Sequence, residues 1–263
     1  MKKLLLTGVA LLCANAAFAV APNRADTSQL GSVLGFPYVV ANNNVKTTII
    51  RLTNTGNAAV SVRCQFADDA TNNVGIIYNV PSNGSQIFNM SDGSYPIGGE
   101  GFLFCWAVNA NGNRGINWNF LAGTATILDS AGSNARWEYS AWAFAARKAG
   151  VANGAVVVPG AAGLRTIPLD GVNYDNCPEY LIGQYSPTTT TVTNTALVAS
   201  SFSGGRFAAV PCNVDFTALT MPPLPVGGVK STITLTLLND QGVANTGVNV
   251  TCIGNWHEAA LPI

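Results

Sequence analysis

Apolar and polar residues alternate with a period of two along much of this chain, the period of a strand with one buried face. The pattern is clearest from Lys46 to Phe66, where Val60, Val62, Cys64 and Phe66 alternate with Ser61, Arg63 and Gln65. The β-branched run Thr47-Thr48-Ile49-Ile50-Arg51-Leu52 precedes it, and Thr53-Asn54-Thr55-Gly56-Asn57 joins the two. Asn and Gly accept the positive φ of a tight reversal, so the segment is predicted to be a β-hairpin whose inward face ends in a cysteine.

The same reading extends along the chain. Val33 to Val40 is a first strand, and Pro37 within it implies a sheet edge or a bulge because proline cannot donate to a ladder. Gly75 to Val80 and Gln86 to Met90 are short strands. Gly101 to Val108, GFLFCWAV, is apolar on both faces and therefore belongs at the centre of the fold. Two long strands follow, Ile116 to Leu128 and Arg136 to Arg147, joined by a turn at Asp129 to Asn134. Trp137 to Ala146 is rich in Ala, but its aromatics and the matching strand before it favour a hairpin over a helix. Phe207 to Cys212 is another strand, and Ser231 to Leu238 with Val248 to Ile253 form a closing hairpin. That hairpin echoes the first, with Val62-x-Cys64 matched by Val250-x-Cys252; internal duplication and generic β patterning both explain the echo.

The expected class is all-β, as two immunoglobulin-like β-sandwich units with disulfides, residues 20–147 and 165–263. The Gly- and Ala-rich residues 148–164 would be the linker or crossover. One continuous large β-sandwich is the alternative. Cys64 and Cys105 stand about 40 residues apart on inward positions, as a disulfide across two packed sheets requires, with Trp106 beside the bridge. Cys212 with Cys252 is the second expected bridge, leaving Cys177 as a free or intermolecular thiol. Cys177 with Cys212 is the rival pairing.

The first residues change the picture. Met1-Lys2-Lys3, the apolar Leu4 to Ala14 and Ala17-Phe18-Ala19 read as a signal peptide over residues 1–19, cleaved before Val20. A retained N-terminal anchor is the alternative. The mature chain of about 244 residues would be secreted or held at the cell surface, with the periplasm as a further destination. No later run reaches the ~18 apolar residues that a membrane span needs. Without Lys2 and Lys3 the 13 basic residues fall to 11 against 13 acidic ones, a net charge near −2. With no basic cluster, nucleic acid and anionic membranes are poor partners. No CxxC or CxxCH occurs, so zinc ribbons and c-type haem are unsupported, and no cofactor is implied.

Catalytic chemistry has little to stand on. His257 is the only histidine, lies in what reads as a frayed tail, and has no GxSxG serine to serve. Cys177 lacks a base and reads as part of a turn. Most acidic residues sit in turns, where Asp bonds to backbone N–H groups. The pairs Asp92 with Glu100 and Asp170 with Asp175 are too thin for calcium. Trp118, Trp137 and Trp142 are the candidate ligand-binding residues, because an exposed flat ring packs on a sugar face; a core position is the competing reading.

The segments Ser32 to Tyr38, Thr53-Asn54-Thr55, Leu121 to Ile127 and Leu169 to Pro178 resemble those of a loose group of uncharacterised secreted β-rich proteins of Gram-negative bacteria. The resemblance implies export and β architecture and brings no catalytic motif. The expected role is a non-enzymatic structural or adhesive component of the cell surface or extracellular matrix. Open strand edges and the odd cysteine would give it a route to self-association. A carbohydrate-binding module or secreted glycan-active enzyme, with a glycan as partner, is the alternative.

Overall fold

The alternating segments do form strands, but the partners they choose differ from those that sequence order suggests. A computed structural model describes residues 24–42, 46–67, 73–95, 99–129, 135–157 and 167–177, together with strands at 206–209, 230–238, 244–253 and 257–260. The strands are β1 (Val33–Asn42), β2 (Lys46–Asn54), β3 (Val60–Ala67), β4 (Asn73–Val80), β5 (Gly84–Asn89), β6 (Gly99–Val108), β7 (Leu121–Asp129), β8 (Ala135–Ser140) and β9 (Trp142–Phe144). Four more follow: β10 (Arg206–Ala209), β11 (Lys230–Leu238), β12 (Ala244–Ile253) and β13 (His257–Ala260). No helix occurs among the described residues, so the class is all-β. The predicted signal peptide and Cys212 lie outside the described residues.

Strands β1 to β9 make one antiparallel sheet in the order β4-β3-β6-β1-β2-β7-β8, with β5 also paired to β2 and β9 to β1. The sheet folds over, bringing the flank β4-β3-β6-β1 against the flank β5-β2-β7-β8. Across that interface Tyr78 of β4 stacks on Phe88 of β5 with ring centroids 4.1 Å apart. A Cβ on Gly123 of β7 would lie 2.7 Å from Cζ of Phe36 in β1, so glycine is what lets the flanks approach there. Two kinks tie the flanks together. The register of β1 shifts between Phe36 and Val39, around Pro37, and its last residues, Ala41 and Asn42, pair with the start of β2. The second kink is at Ala141, where the chain leaves β8, paired to β7, and enters β9, paired to β1. Pro37 therefore marks a bulge rather than an edge.

Lys46 to Phe66 is not a hairpin. β2 pairs with β1, β5 and β7, whereas β3 pairs with β4 and β6, so residues 55–59 cross from one flank to the other. None of residues 54–57 has a positive φ. The crossing is held instead by Asn54, fully buried, whose Oδ1 accepts the Gly56 N–H at 2.9 Å and whose Nδ2 donates to the carbonyls of Ala58 and Pro81 at 2.8 and 3.1 Å. Gly56 is required for space: a Cβ there would meet the Trp118 ring at 2.8 Å.

Cys64 and Cys105 are bridged as expected, but within one sheet. They lie directly opposite on the paired strands β3 and β6, with Cα atoms 4.0 Å apart. Trp106 follows Cys105 on the opposite face of β6 and is buried there. Every residue from Gly101 to Val108 is buried, as its apolar faces predicted.

The described residues just beyond the predicted boundary after Arg147 pack on the strands before it. Val157, Ile167, Leu169 and Tyr174 belong to the same hydrophobic core as β1 to β9. Arg24 and Asn176 form a bridge, and the Asp175 N–H donates to the Ala145 carbonyl at 2.8 Å. The predicted closing hairpin is present as β11 paired to β12, with Cys252 opposite Ser231. Because β2 and β3 are not partners, the echo between the two segments does not reach their topology. His257 is in β13, opposite Ala209 of β10, and not in a frayed tail.

Candidate functional site

Most side chains singled out for chemistry are committed to the interior. Trp118 is 7% exposed, stands edge-on to Phe120, and donates Nε1–H to Asn54 Oδ1 at 3.0 Å. Its backbone N–H donates to Ser32 Oγ at 2.7 Å, and Ser32 Oγ donates in turn to Asn119 Oδ1. Trp142 is 6% exposed, on β9 opposite Gly35. Neither ring offers a sugar-stacking face, because each is buried. Trp137 falls on β8 opposite Ile127, and its side chain lies outside the described ones.

Cys177 is disulfide-bonded and so is not the free thiol expected of it; its partner is not among the described bridges. Asp175 and Asp170 are equally occupied. Asp175 is fully buried: Oδ1 accepts Arg147 Nε–H at 2.6 Å, and Oδ2 accepts the Ala145 N–H at 2.8 Å and Gln29 Nε2–H at 3.1 Å. Asp170 closes a turn by accepting the N–H groups of Val172 and Asn173 and the Asn173 side-chain amide. Burial works against the Asp170 charge, yet these bonds hold its carboxyl below the usual range. Among the described residues no group of three His, Cys, Asp or Glu side chains could hold a metal ion.

Two surfaces stand out among the described residues. On the outer face of β5-β2-β7-β8 lies an open concavity of about 540 Å3, lined by Ile49, Ile87, Leu128, two threonines and the charged Arg51, Arg136 and Glu138. No aromatic ring lines it, and Arg136 faces Glu138 across 3.5 Å.

The second surface is the edge strand β4. It pairs with β3 over eight residues without a register shift, and nothing pairs with its other side among the described residues. It reads Asn-Val-Gly-Ile-Ile-Tyr-Asn-Val, with no charge and no proline, and Ile77 on it is 46% exposed. Natural edges are usually blunted by charge, proline or a bulge. This one is not.

No family model matches this chain, and no curated protein does. A solved structure described as "Crystal Structure of Thermotoga maritima 1070" is similar over 43% of this chain and 91% of its own, at 13% identity and a TM-score of 0.34. A likeness of that size carries no argument. Among the described residues no helix is long and apolar enough to cross a membrane.

Sequence reasoning missed Asn54 and Asp175 as buried anchors and Asn119 as a half-buried one. The one signal for Asn54 was its place directly after a β-branched strand. The β4 edge was legible only as an uncharged stretch.

Behind β4 the Tyr78 and Tyr95 hydroxyls meet at 3.3 Å. Burial pushes the Tyr78 phenol up to about 12, and burial likewise raises Tyr95, Tyr139 and Tyr174 well above the ordinary range. A raised pKa in the folded state means that the native protein holds the proton more tightly. The resulting stability is complete below the unfolded value near ~10 and is lost as pH rises through the folded values. We therefore expect an absorbance titration of the native protein to leave these four of the seven tyrosines silent near pH 10. They should ionise together as the fold is lost at higher pH. Seven independent transitions near pH 10 would contradict the packing described.

Proposed function

We propose that this chain is an exported, non-enzymatic protein built from two β-sandwich units. It serves as a structural or adhesive component of the cell surface or extracellular matrix and associates with copies of itself. The reading is supported above all by where unsatisfied capacity lies. Among the described residues Asn54, Trp118 and Asp175 are spent inside, while the long uncharged edge of β4 keeps a row of backbone donors and acceptors for another chain.

Cys177 is already bridged and so is not the link; one of the five cysteines beyond the predicted leader is left over by count, but association through strand edges would not need it. Light scattering on the natively exported protein tests this. The expected mass exceeds that of the 27.3 kDa chain less its leader, rises with concentration, and is unchanged after the thiols are blocked with iodoacetamide. A monomer at every concentration would end the proposal, and dependence on a free thiol would replace strand edges with cysteine as the link.

A further inference from the structure

We infer that the contact is made by β4 against β4 of a second copy, antiparallel, about a two-fold axis through Ile77. This rests on the self-association proposed above and names the surface and the register.

The edges available differ in what they offer. β9 has three residues and β5 six, while β8 carries the Arg136–Glu138 pair. β4 has eight residues in unbroken register and no charge, so its own copy can lie beside it without like-charge repulsion.

Geometry then narrows the register to those with a residue on the axis, and the exposure of Ile77 chooses among them. A sheet continued across a two-fold axis keeps each side chain on its own face, so outward residues must meet outward residues. Centring on Ile77 places Ile77 opposite its own copy and Gly75 opposite Asn79 on the exposed face. On the other face Ile76 meets Tyr78, and Val74 meets Val80. The exposed Ile77 pair is buried at the axis, and partly buried Val74, Ile76 and Tyr78 gain cross-strand neighbours. A closed isologous dimer results, because the same patch serves both copies.

The test is cysteine cross-linking under mild oxidation, with wild-type mass measured in parallel. Side chains directly opposite have Cβ atoms about 4.5–5.5 Å apart, within disulfide reach. Ile77→Cys should therefore give a covalent dimer. Asn79→Cys alone should not, since its partner position is Gly75, but mixing Asn79→Cys with Gly75→Cys should give a heterodimer. Ile77→Lys, which sets two like charges at the axis, should weaken association about tenfold or more. Should that variant misfold, the cross-linking pattern decides alone. If wild-type protein associates while Ile77→Cys stays monomeric and Ile77→Lys keeps its mass, the β4 contact is wrong and self-association stands. If wild-type protein never associates, both fall.

Discussion

Replacing Cys64 and Cys105 together by alanine is expected to lower stability by about 4 kcal/mol, on the chain-entropy estimate for a loop of this size. The bridge closes a loop with a sequence separation of 41 residues, and both half-cystines are fully buried. Opening it restores to the unfolded chain the freedom of β4, β5 and their connections, which all lie inside the loop. The native state should change little, because β3 and β6 remain hydrogen-bonded neighbours from Ser61 to Ala67 without the sulfur link. Domains of this kind are stable by only ~5–15 kcal/mol, so the loss is a large share of the total. Urea unfolding of the double variant should show a lower midpoint. A change below ~1 kcal/mol would mean that the unfolded chain keeps β3 and β6 together on its own. The single variant Cys64→Ala should do worse than the double, since it frees the Cys105 thiol to exchange with the Cys177 bridge.

What the sequence revealed and what it hid follow from one physical fact. Alternation reports which face of a strand is buried, but not which strand lies beside it. The strands β3, β6 and β7 were therefore legible, and β6 could be placed at the centre from its two apolar faces. Lys46 to Phe66 went wrong at its connection. Thr-Asn-Thr-Gly-Asn carries the composition of a tight turn, yet here Asn is a buried amide and Gly a space for Trp118, and neither function leaves a local signature. The bridge was found because cysteine spacing limits the choices, but its placement within one sheet depended on the same pairing. Trp118 between Asn117 and Asn119 fitted a sugar platform and a core position equally well; the difference lies in Asn54 and Ser32, 64 and 86 residues away. Asp175 was read beside Asp170 because they are near in sequence, whereas its partners are Arg147, Ala145 and Gln29. Gly and Ala richness after Arg147 suggested a linker, but small residues also suit a chain packed closely on a core.

Asn54→Ala is expected to cost about 3 kcal/mol, because it strands two buried donors, the Gly56 N–H and the Trp118 Nε1–H, while the carbonyls of the exposed Ala58 and Pro81 can turn to water. The Gly56 N–H and Trp118 Nε1–H lose their acceptor, and the Ala58 and Pro81 carbonyls lose their donor. Water cannot readily replace the lost acceptor, since Asn54 is fully buried and Gly56 is buried beside it. Asn54→Asp separates the two halves of the role. It keeps an acceptor for Gly56 and Trp118 but turns the donor end into a second oxygen facing two carbonyls, and it should remain destabilised at neutral pH and recover in part as acid protonates the carboxyl. Trp118→Phe removes the indole donor together with part of a buried ring, so the bond is read from the coupling: its loss and that of Asn54→Ala should fall short of additivity by about 1 kcal/mol. Urea unfolding of the three variants and the double mutant provides the cycle. Were Asn54→Ala to lose under ~1 kcal/mol, the turn from one flank to the other would have to be held by packing of Trp118 and Phe120 alone, and Gly56→Ala, which intrudes on that ring, would then be the more damaging change.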